Sequence, residues 1–212
     1  MRAFRNDSID PHFNLAYEEK IFLEHRGNED FFMLWRNDKS VIVGNNQVIE
    51  NEVDLDFARA HGIPVIRRIT GGGAVYHDLG NVNYTYISDK ANEFGNFLVF
   101  AQPVVAFLQS LGVDARHIGK NDIGIGGRKI SGNAQCVRDP YILHHGTLMF
   151  DVDIGVLEKV LTPAPEKFIG KGIRSVRSRV CNISEYLPMG RDAFWEEICR
   201  YFEAGVCSVI AE

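Results

Sequence analysis

Three consecutive glycines, in the run RRITGGGAVYHDLGN (67–81), place the tightest constraint on how this chain folds. Glycine loses more backbone entropy on folding than any other residue, so an ordered triplet must serve a geometry that side chains forbid. The preceding IPVIRRIT reads as a strand that runs directly into the glycines, and NVNYTYI after them reads as another. In the latter, Val82, Tyr84 and Tyr86 alternate with Asn81, Asn83 and Thr85, the pattern of a half-buried strand. A neutral hairpin turn needs only one or two glycines. The surplus of Gly71, Gly72 and Gly73, bracketed by Arg67, Arg68 and His77, suits a concavity of backbone N–H groups beside guanidinium forks. Such a cradle fits a carboxylate or a phosphate; the plainer alternative is a tight hairpin with two surface arginines. Neither the GxxxxGK[ST] loop nor a GxGxxG turn before a helix is present.

The rest of the chain alternates strand and helix signals without a repeat or a linker, which predicts one domain over residues 1–212. Asp10-Pro11 marks the start of a helix through about Glu24. FFMLWR and SVIVG read as two strands joined by the turn NDK, and VDLDFARAHG as a short helix closed by Gly62. FGNFLVFAQPVVAFLQSLG is the longest helix, stopped by Gly112, with Pro103 either kinking it or starting its regular part. NDIGI, KISGNAQCV and YILHHGTLMFDV read as successive antiparallel strands, and DIGVLEKVL and RDAFWEEICRYFEAG as late helices. Hairpin strands with helices set around them predict an α+β fold rather than a doubly wound sheet.

Hydrophobic residues make up 45% of the chain, enough for a real core. The net charge of −5 argues against a dedicated nucleic-acid binder. The N-terminal residues carry acids early and no long apolar run, and no stretch has the length of a membrane span. Cys136, Cys181, Cys199 and Cys207 form no CxxC pair, which points to reduced thiols and a cytoplasmic location.

Outside the glycine run, GKNDIGIGGRKISGNAQ (119–135) sets Lys129 at a strand end after a glycine turn, among Asn121, Asp122, Ser131, Asn133 and Gln135. Read alone, Lys129 is a solvated hairpin lysine, and Asp122 is either a turn residue or a group able to hold an ammonium or Mg²⁺. His144 and His145 are neighbours on a strand, so they face opposite sides and do not share a metal; one of them points inward. KFIGKGIRSVRSRV carries Lys167, Lys171, Arg174, Arg177 and Arg179 between glycines, as a solvated basic loop or a closing loop does. No GxSxG elbow or Ser-His-Asp order appears.

Taken together, FNLAYEE, LWRN, VIVGNNQ, RRITGGGAVYHDLGNVNYTYI, GKNDI, RKISGNAQ, HHGTLMFDVD and KGIRSVRSRVCNISEYLP resemble the lipoate-protein ligase A family, in family order over roughly residues 10 to 190. The pairing of the glycine run with RKISGNAQ is the specific element. The resemblance implies the mixed, largely antiparallel sheet flanked by helices that biotin and lipoate ligases share. It implies ATP-dependent conversion of lipoate to lipoyl-adenylate (lipoyl-AMP), with Mg²⁺ expected, then transfer to a lysine of a lipoyl domain. Acceptors of that kind belong to the E2 subunits of 2-oxoacid dehydrogenases or to the H protein of glycine cleavage. The family's lipoate loop falls on Arg67 to Ala74, with Gly71, Gly72, Gly73, His77, Lys129 and His145 on the lipoate side. Its ATP contacts fall on Arg68, Gly73, Ala74, Val75 and Tyr76, with Lys129 as the functional lysine and Asp122 as a candidate Mg²⁺ ligand. Residues 167 to 180 match its adenylate-binding loop. Bacterial members usually continue into a small accessory domain that is not expected here; three readings are open, a separate partner protein that completes activation, a chain that is a piece of a longer one, and a lipoyltransferase that mainly performs transfer. Three other readings stand beside this one: a transferase using preformed lipoyl-adenylate, an octanoyltransferase working through a cysteine thioester, and a non-catalytic lipoate or nucleotide module.

Overall fold

The computed structural model describes residues 2–161 and 180–204. In chain order these form β1 (Arg2–Arg5), α1 (Pro11–Glu24), β2 (Phe31–Trp35), β3 (Ser40–Val43), α2 (Leu55–Ala60), β4 (Val65–Arg67), β5 (Val75–His77) and β6 (Asn81–Ser88). Then follow α3 (Phe97–Ser110), β7 (Ala115–Ile118), β8 (Asp122–Ile125), β9 (Arg128–Arg138), β10 (Tyr141–Met149), α4 (Ile154–Val160) and α5 (Arg191–Glu203). Among the described residues no helix is long and apolar enough to cross a membrane.

Local chemistry accounts for the boundaries. Asp10 caps α1, its Oδ1 accepting from the backbone N–H of His12 at 2.9 Å and of Phe13 at 3.2 Å. Gly112 ends α3 with φ of +83°, a conformation that suits glycine. Pro103 lies inside α3, at neither end. Gly126 and Gly127 both have positive φ and turn β8 tightly into β9, as a two-residue hairpin loop requires.

The strands divide between a seven-stranded sheet, in the order β1-β2-β6-β10-β9-β8-β7, and a three-stranded sheet, β4-β3-β5. All pairs are antiparallel except β1 with β2 and β3 with β4. The expected α+β class, with a largely antiparallel sheet and helices around it, is what is observed. Two expectations are corrected. β2 and β3 are not hairpin partners: Asn37-Asp38-Lys39 carries the chain from the large sheet into the small one. β6 is buried along its whole length, not on one face only.

That second correction positions everything else. The even residues of β6, Val82, Tyr84 and Tyr86, enter the main core with Phe100, Val104 and Phe107 of α3 and Phe194, Ile198 and Phe202 of α5. The odd residues Asn81, Asn83 and Thr85 face the other way, toward the small sheet, and are no less buried. The small sheet is covered on its far side by α2 and α4, where Val41, Val43 and Tyr76 meet Ala58 and Val160. A polar interior gap is thus left between the sheets.

Phe194 is the aromatic pivot of the helix-covered face, stacked on Phe150 at 4.2 Å between centroids and tilted against Phe107 at 5.8 Å. Phe194→Ala is expected to cost about 3–5 kcal/mol in urea-induced unfolding. A loss below about 1 kcal/mol would contradict this role.

Candidate active site

The gap between the sheets holds a cavity of about 450 Å³. One part of its wall is apolar, formed by Leu15, Trp35, Ile42 and Val75. Elsewhere the wall is polar, with Arg68, Asp122, Lys129, His145 and Thr147 together with the glycine loop Gly72-Gly73-Ala74.

The glycine loop is held by the arginines that precede it. Buried Arg68 donates from Nη2 to the carbonyls of Gly71 and Gly73, both at 2.8 Å, from Nη1 to Ile42 O at 3.1 Å, and from Nε to Thr70 Oγ1 at 2.9 Å. Burial lowers its pKa to about 10, against the nearby Glu18 carboxylate, which favours the charged form. Arg67 turns outward and back, its Nη1 donating to the carbonyls of Gly44, Asn45 and Gln47 at 2.8–3.0 Å. The expectation of a guanidinium fork open to an anion is therefore corrected. Arg67 Nη1 and both terminal nitrogens of Arg68 are already committed to carbonyl oxygens, and they fasten two loops to each other. Gly44 shows how closely the loops meet, since a Cβ there would lie 2.1 Å from Gly72 O. Gly72 itself has φ of +92°, and a Cβ on it would lie 3.0 Å from the Arg68 guanidinium.

Behind the loop runs a buried hydrogen-bond relay. Trp35 Nε1 donates to Thr85 Oγ1 at 2.9 Å, and Thr85 in turn donates to Glu18 Oε1. Glu18 accepts from His145 Nδ1 at 3.0 Å, and His145 Nε2 meets Thr70 Oγ1 at 2.8 Å, the oxygen that also takes the Arg68 Nε–H. One carboxylate on α1 thereby orients a strand histidine and, through it, the start of the glycine loop. His144 points to the opposite face, stacked on Phe100 and bonded to Gln135 and Asn133, as neighbouring strand positions require.

Lys129 Nζ lies 2.9 Å from Asp122 Oδ1, with both side chains about one-quarter exposed. The Lys129 side chain crosses its own strand over Gly132, where a Cβ would come within 2.9 Å of Nζ. The second glycine of GGRKISG thus makes room for the lysine. Beyond it, Lys129 pairs with Val180 in a parallel bridge. A divalent metal does not fit this donor set. Asp122 is the only carboxylate among the described lining residues and is occupied by the ammonium. Among the described residues no cluster of three or more His, Cys, Asp or Glu is arranged to hold an ion.

Of the residues singled out in the sequence, Arg68, Gly72, Gly73, Ala74, Val75, His77, Asn121, Asp122, Lys129, Asn133 and His145 line the cavity. Arg67 and Gly71 stand behind it, and the Tyr76 side chain points into the opposite core. Lys167, Lys171, Arg174, Arg177 and Arg179 lie outside the described residues. Sequence reasoning missed Leu15, Trp35, Ile42, Asn83 and Glu18. The available signal was the polar half of NVNYTYI together with an acidic residue placed on the inner side of α1. Cys136 and Cys199 are pushed up to about 12 by burial, and no described cysteine lines the cavity.

Comparison with known proteins gives a match over residues 10–203 to the family described as lipoyl protein ligase A/B catalytic domain. Lipoate--protein ligase 1 of Staphylococcus aureus is 46% identical over 189 residues, covering 88% of this chain and 58% of that protein. The chain thus spans a little over half the length of that curated relative. A bi-partite lipoate protein ligase from Thermoplasma acidophilum, described with its E2 lipoyl domain, superposes with a TM-score of 0.81 at 31% identity, covering 96% of this chain and 82% of that one. A lipoate-protein ligase A bound with ATP gives a TM-score of 0.81 at 32% identity, with coverage of 96% and 84%.

The buried imidazoles of His77 and His144 are both held down to about 3, first by burial and then by neighbouring positive or titrating groups. Each is neutral in the fold and takes up a proton on unfolding once the pH is below 6.5, so their contribution is complete above 6.5 and lost as pH falls toward 3. The urea midpoint is expected to fall between pH 7 and 5.5, above the range where most carboxylates titrate. A midpoint that rises or stays level over that interval would contradict the assignment.

Proposed function

The chain belongs to the lipoyl protein ligase A/B catalytic domain family, and from that premise we propose that it activates lipoate with ATP and passes the lipoyl group to a lysine of a lipoyl domain. The observation that carries this reading is a single cavity in which an apolar wall shares space with the Lys129–Asp122 pair and a glycine loop. An acid with an apolar tail and a nucleotide phosphate need that combination. The names of the relatives, lipoate-protein ligases with one bound to ATP, point the same way.

Activation joins two anions. A carboxylate oxygen of lipoate attacks the α-phosphorus of ATP, the bond to the β-phosphate oxygen breaks, and pyrophosphate leaves with the electron pair. The Lys129 ammonium, released from Asp122 as substrates enter, lowers the repulsion between carboxylate and phosphate and the charge that builds in the transition state. Backbone N–H groups of the glycine loop, held rigid by Arg68, supply neutral donors that need no reorganisation. Mg²⁺ would accompany the triphosphate, as no three-ligand site for it is built from the described residues. In transfer, the acceptor amine attacks the carbonyl carbon of the adenylate, AMP leaves, and the amine loses a proton. No protein nucleophile is required.

That last point separates the reading from octanoyl transfer, which proceeds through a cysteine thioester. Cysteines raised by burial and outside the cavity lining are poor nucleophiles. The bi-partite relative favours one variant of the main reading, in which a second protein assists activation and this chain carries the transfer site. The acceptor is an E2 lipoyl domain or a glycine cleavage H protein.

Pyrophosphate release dependent on both lipoate and ATP, followed by mass-shift detection of lipoylation on an E2 lipoyl domain, tests the proposal. If the chain alone is inert, preformed lipoyl-adenylate tests transfer separately, and failure of both half-reactions would end the reading. Lys129→Ala is expected to lower the rate of pyrophosphate release at least about 100-fold with an unchanged far-ultraviolet spectrum. Turnover like that of the wild type would remove Lys129 from its role. Gly72→Val, which adds a Cβ at positive φ beside Arg68, is expected to weaken lipoate binding by roughly 10-fold or more. An unchanged lipoate KM would count against the loop as part of the cradle.

A further inference from the structure

Two hydrogen-bond donors on the cavity wall have no acceptor among the described residues. His77 Nε2 and Asn83 Nδ2 are buried without a partner, and both residues line the cavity. His77 is 3% exposed and Asn83 1%. Both neighbour Trp35. The His77 ring meets Trp35 edge-on, with centroids 6.4 Å apart. Asn83 is the register partner of Trp35 across β2 and β6, so its side chain shares that face. Around the pair the wall is apolar, with Leu15, Ile42 and Val75.

The direction of both donors is set by chains of amides. Asn6 Nδ2 donates to Asn14 Oδ1, and Asn14 Nδ2 to Asn37 Oδ1, each at 2.9 Å. With its oxygen taken, Asn37 meets His77 through Nδ2, 3.1 Å from His77 Nδ1. Nδ1 is therefore the acceptor and the ring proton resides on Nε2. Burial keeps this imidazole neutral, with a pKa held down to about 3. In the same way Asn81 Nδ2 donates to Asn83 Oδ1 at 2.8 Å, which leaves the Asn83 NH₂ as the free end.

These donors are removed from the Lys129 chemistry. Asn83 is on β6 and Lys129 on β9, with β10 between them, a separation of about 10 Å. An acid whose carboxylate reaches Lys129 presents only its tail to Trp35. In lipoate the sole acceptors in that tail are the two sulfurs of the dithiolane ring. A plain alkyl tail would leave both donors buried and unsatisfied.

Resting on the lipoate reading above, we infer that His77 Nε2–H and Asn83 Nδ2–H donate to the dithiolane sulfurs and so make these two residues the ones that distinguish lipoate from a plain acyl chain. Sulfur is a weak acceptor, so the discrimination is modest. Both donors are uncharged, so no charge has to be desolvated to provide them.

The test uses lipoate and its carbocyclic analogue cyclopentylpentanoate, in which methylenes replace both ring sulfurs, titrated calorimetrically into the wild-type chain and into Asn83→Leu and His77→Phe. Apolar burial alone favours the carbocycle. The donors predict the reverse in the wild type, lipoate binding roughly 10-fold tighter, with that preference lost in each variant while the carbocycle still binds. Retained carbocycle binding shows that the variant cavity is intact. Equal affinity of the wild type for both acids, or a variant that keeps the preference, overturns the inference and leaves the donors to ordered water. Because the wild-type comparison decides alone, a variant that fails to fold does not protect the idea. If the wild type binds neither acid, the lipoate reading falls and this inference falls with it.

Discussion

The Arg68 guanidinium holds the backbone that encloses it. A buried cation with donors in a fixed plane is costly unless those donors are satisfied, and here they are satisfied by two carbonyls of the very loop the site is built from and by Ile42 O of β3. The loop conformation and the buried charge therefore depend on each other. Gly71, Gly72 and Gly73 bend far enough to turn two carbonyls toward one guanidinium nitrogen, and Gly44 lets the adjoining loop close against Gly72. The Glu18–His145–Thr70 relay approaches the same cation from the large sheet. The site is thus rigid on its glycine side before any ligand arrives, as a preorganised cradle needs to be.

A second constraint is that both sheets present buried polar residues to the space between them. Asn81, Asn83, Thr85 and His145 are strand residues with the burial of a core. Most are tied to one another or to Glu18, so the polar interior is largely satisfied. A few ends remain open, and they point to what the cavity is for.

Much of this was legible in the sequence, and the misses have physical reasons. The caps at Asp10, Gly62 and Gly112 fixed helix ends because they depend on local backbone chemistry. Lys129 was placed at the right strand end, and the glycine at position 132 that accommodates it stood in the same motif. The opposite orientation of His144 and His145 followed from the two-residue period of a strand. By contrast, the direction in which Arg67 and Arg68 turn depends on carbonyls of residues 42 to 47, a tertiary matter that no local pattern encodes. The alternation of NVNYTYI encodes the period, but which face meets water depends on a second sheet packing over it. Glu18 looked like an ordinary helix acid until α1 laid it against β6 and β10.

The order of the large sheet gives this arrangement a mechanical meaning. β1-β2-β6 and β9-β8-β7 are two sets of strands joined through β10, whose neighbours are β6 on one side and β9 on the other. The cavity straddles this junction, drawing Asn83 from β6, His145 and Thr147 from β10 and Lys129 from β9. A ligand seated there spans the two halves like a splint, and its binding free energy is added directly to the cohesion of the sheet. At one hundred times its dissociation constant that amounts to about 2.7 kcal/mol, a sizeable share of the stability of a chain this small. Occupancy and integrity of the protein are then two readings of one equilibrium.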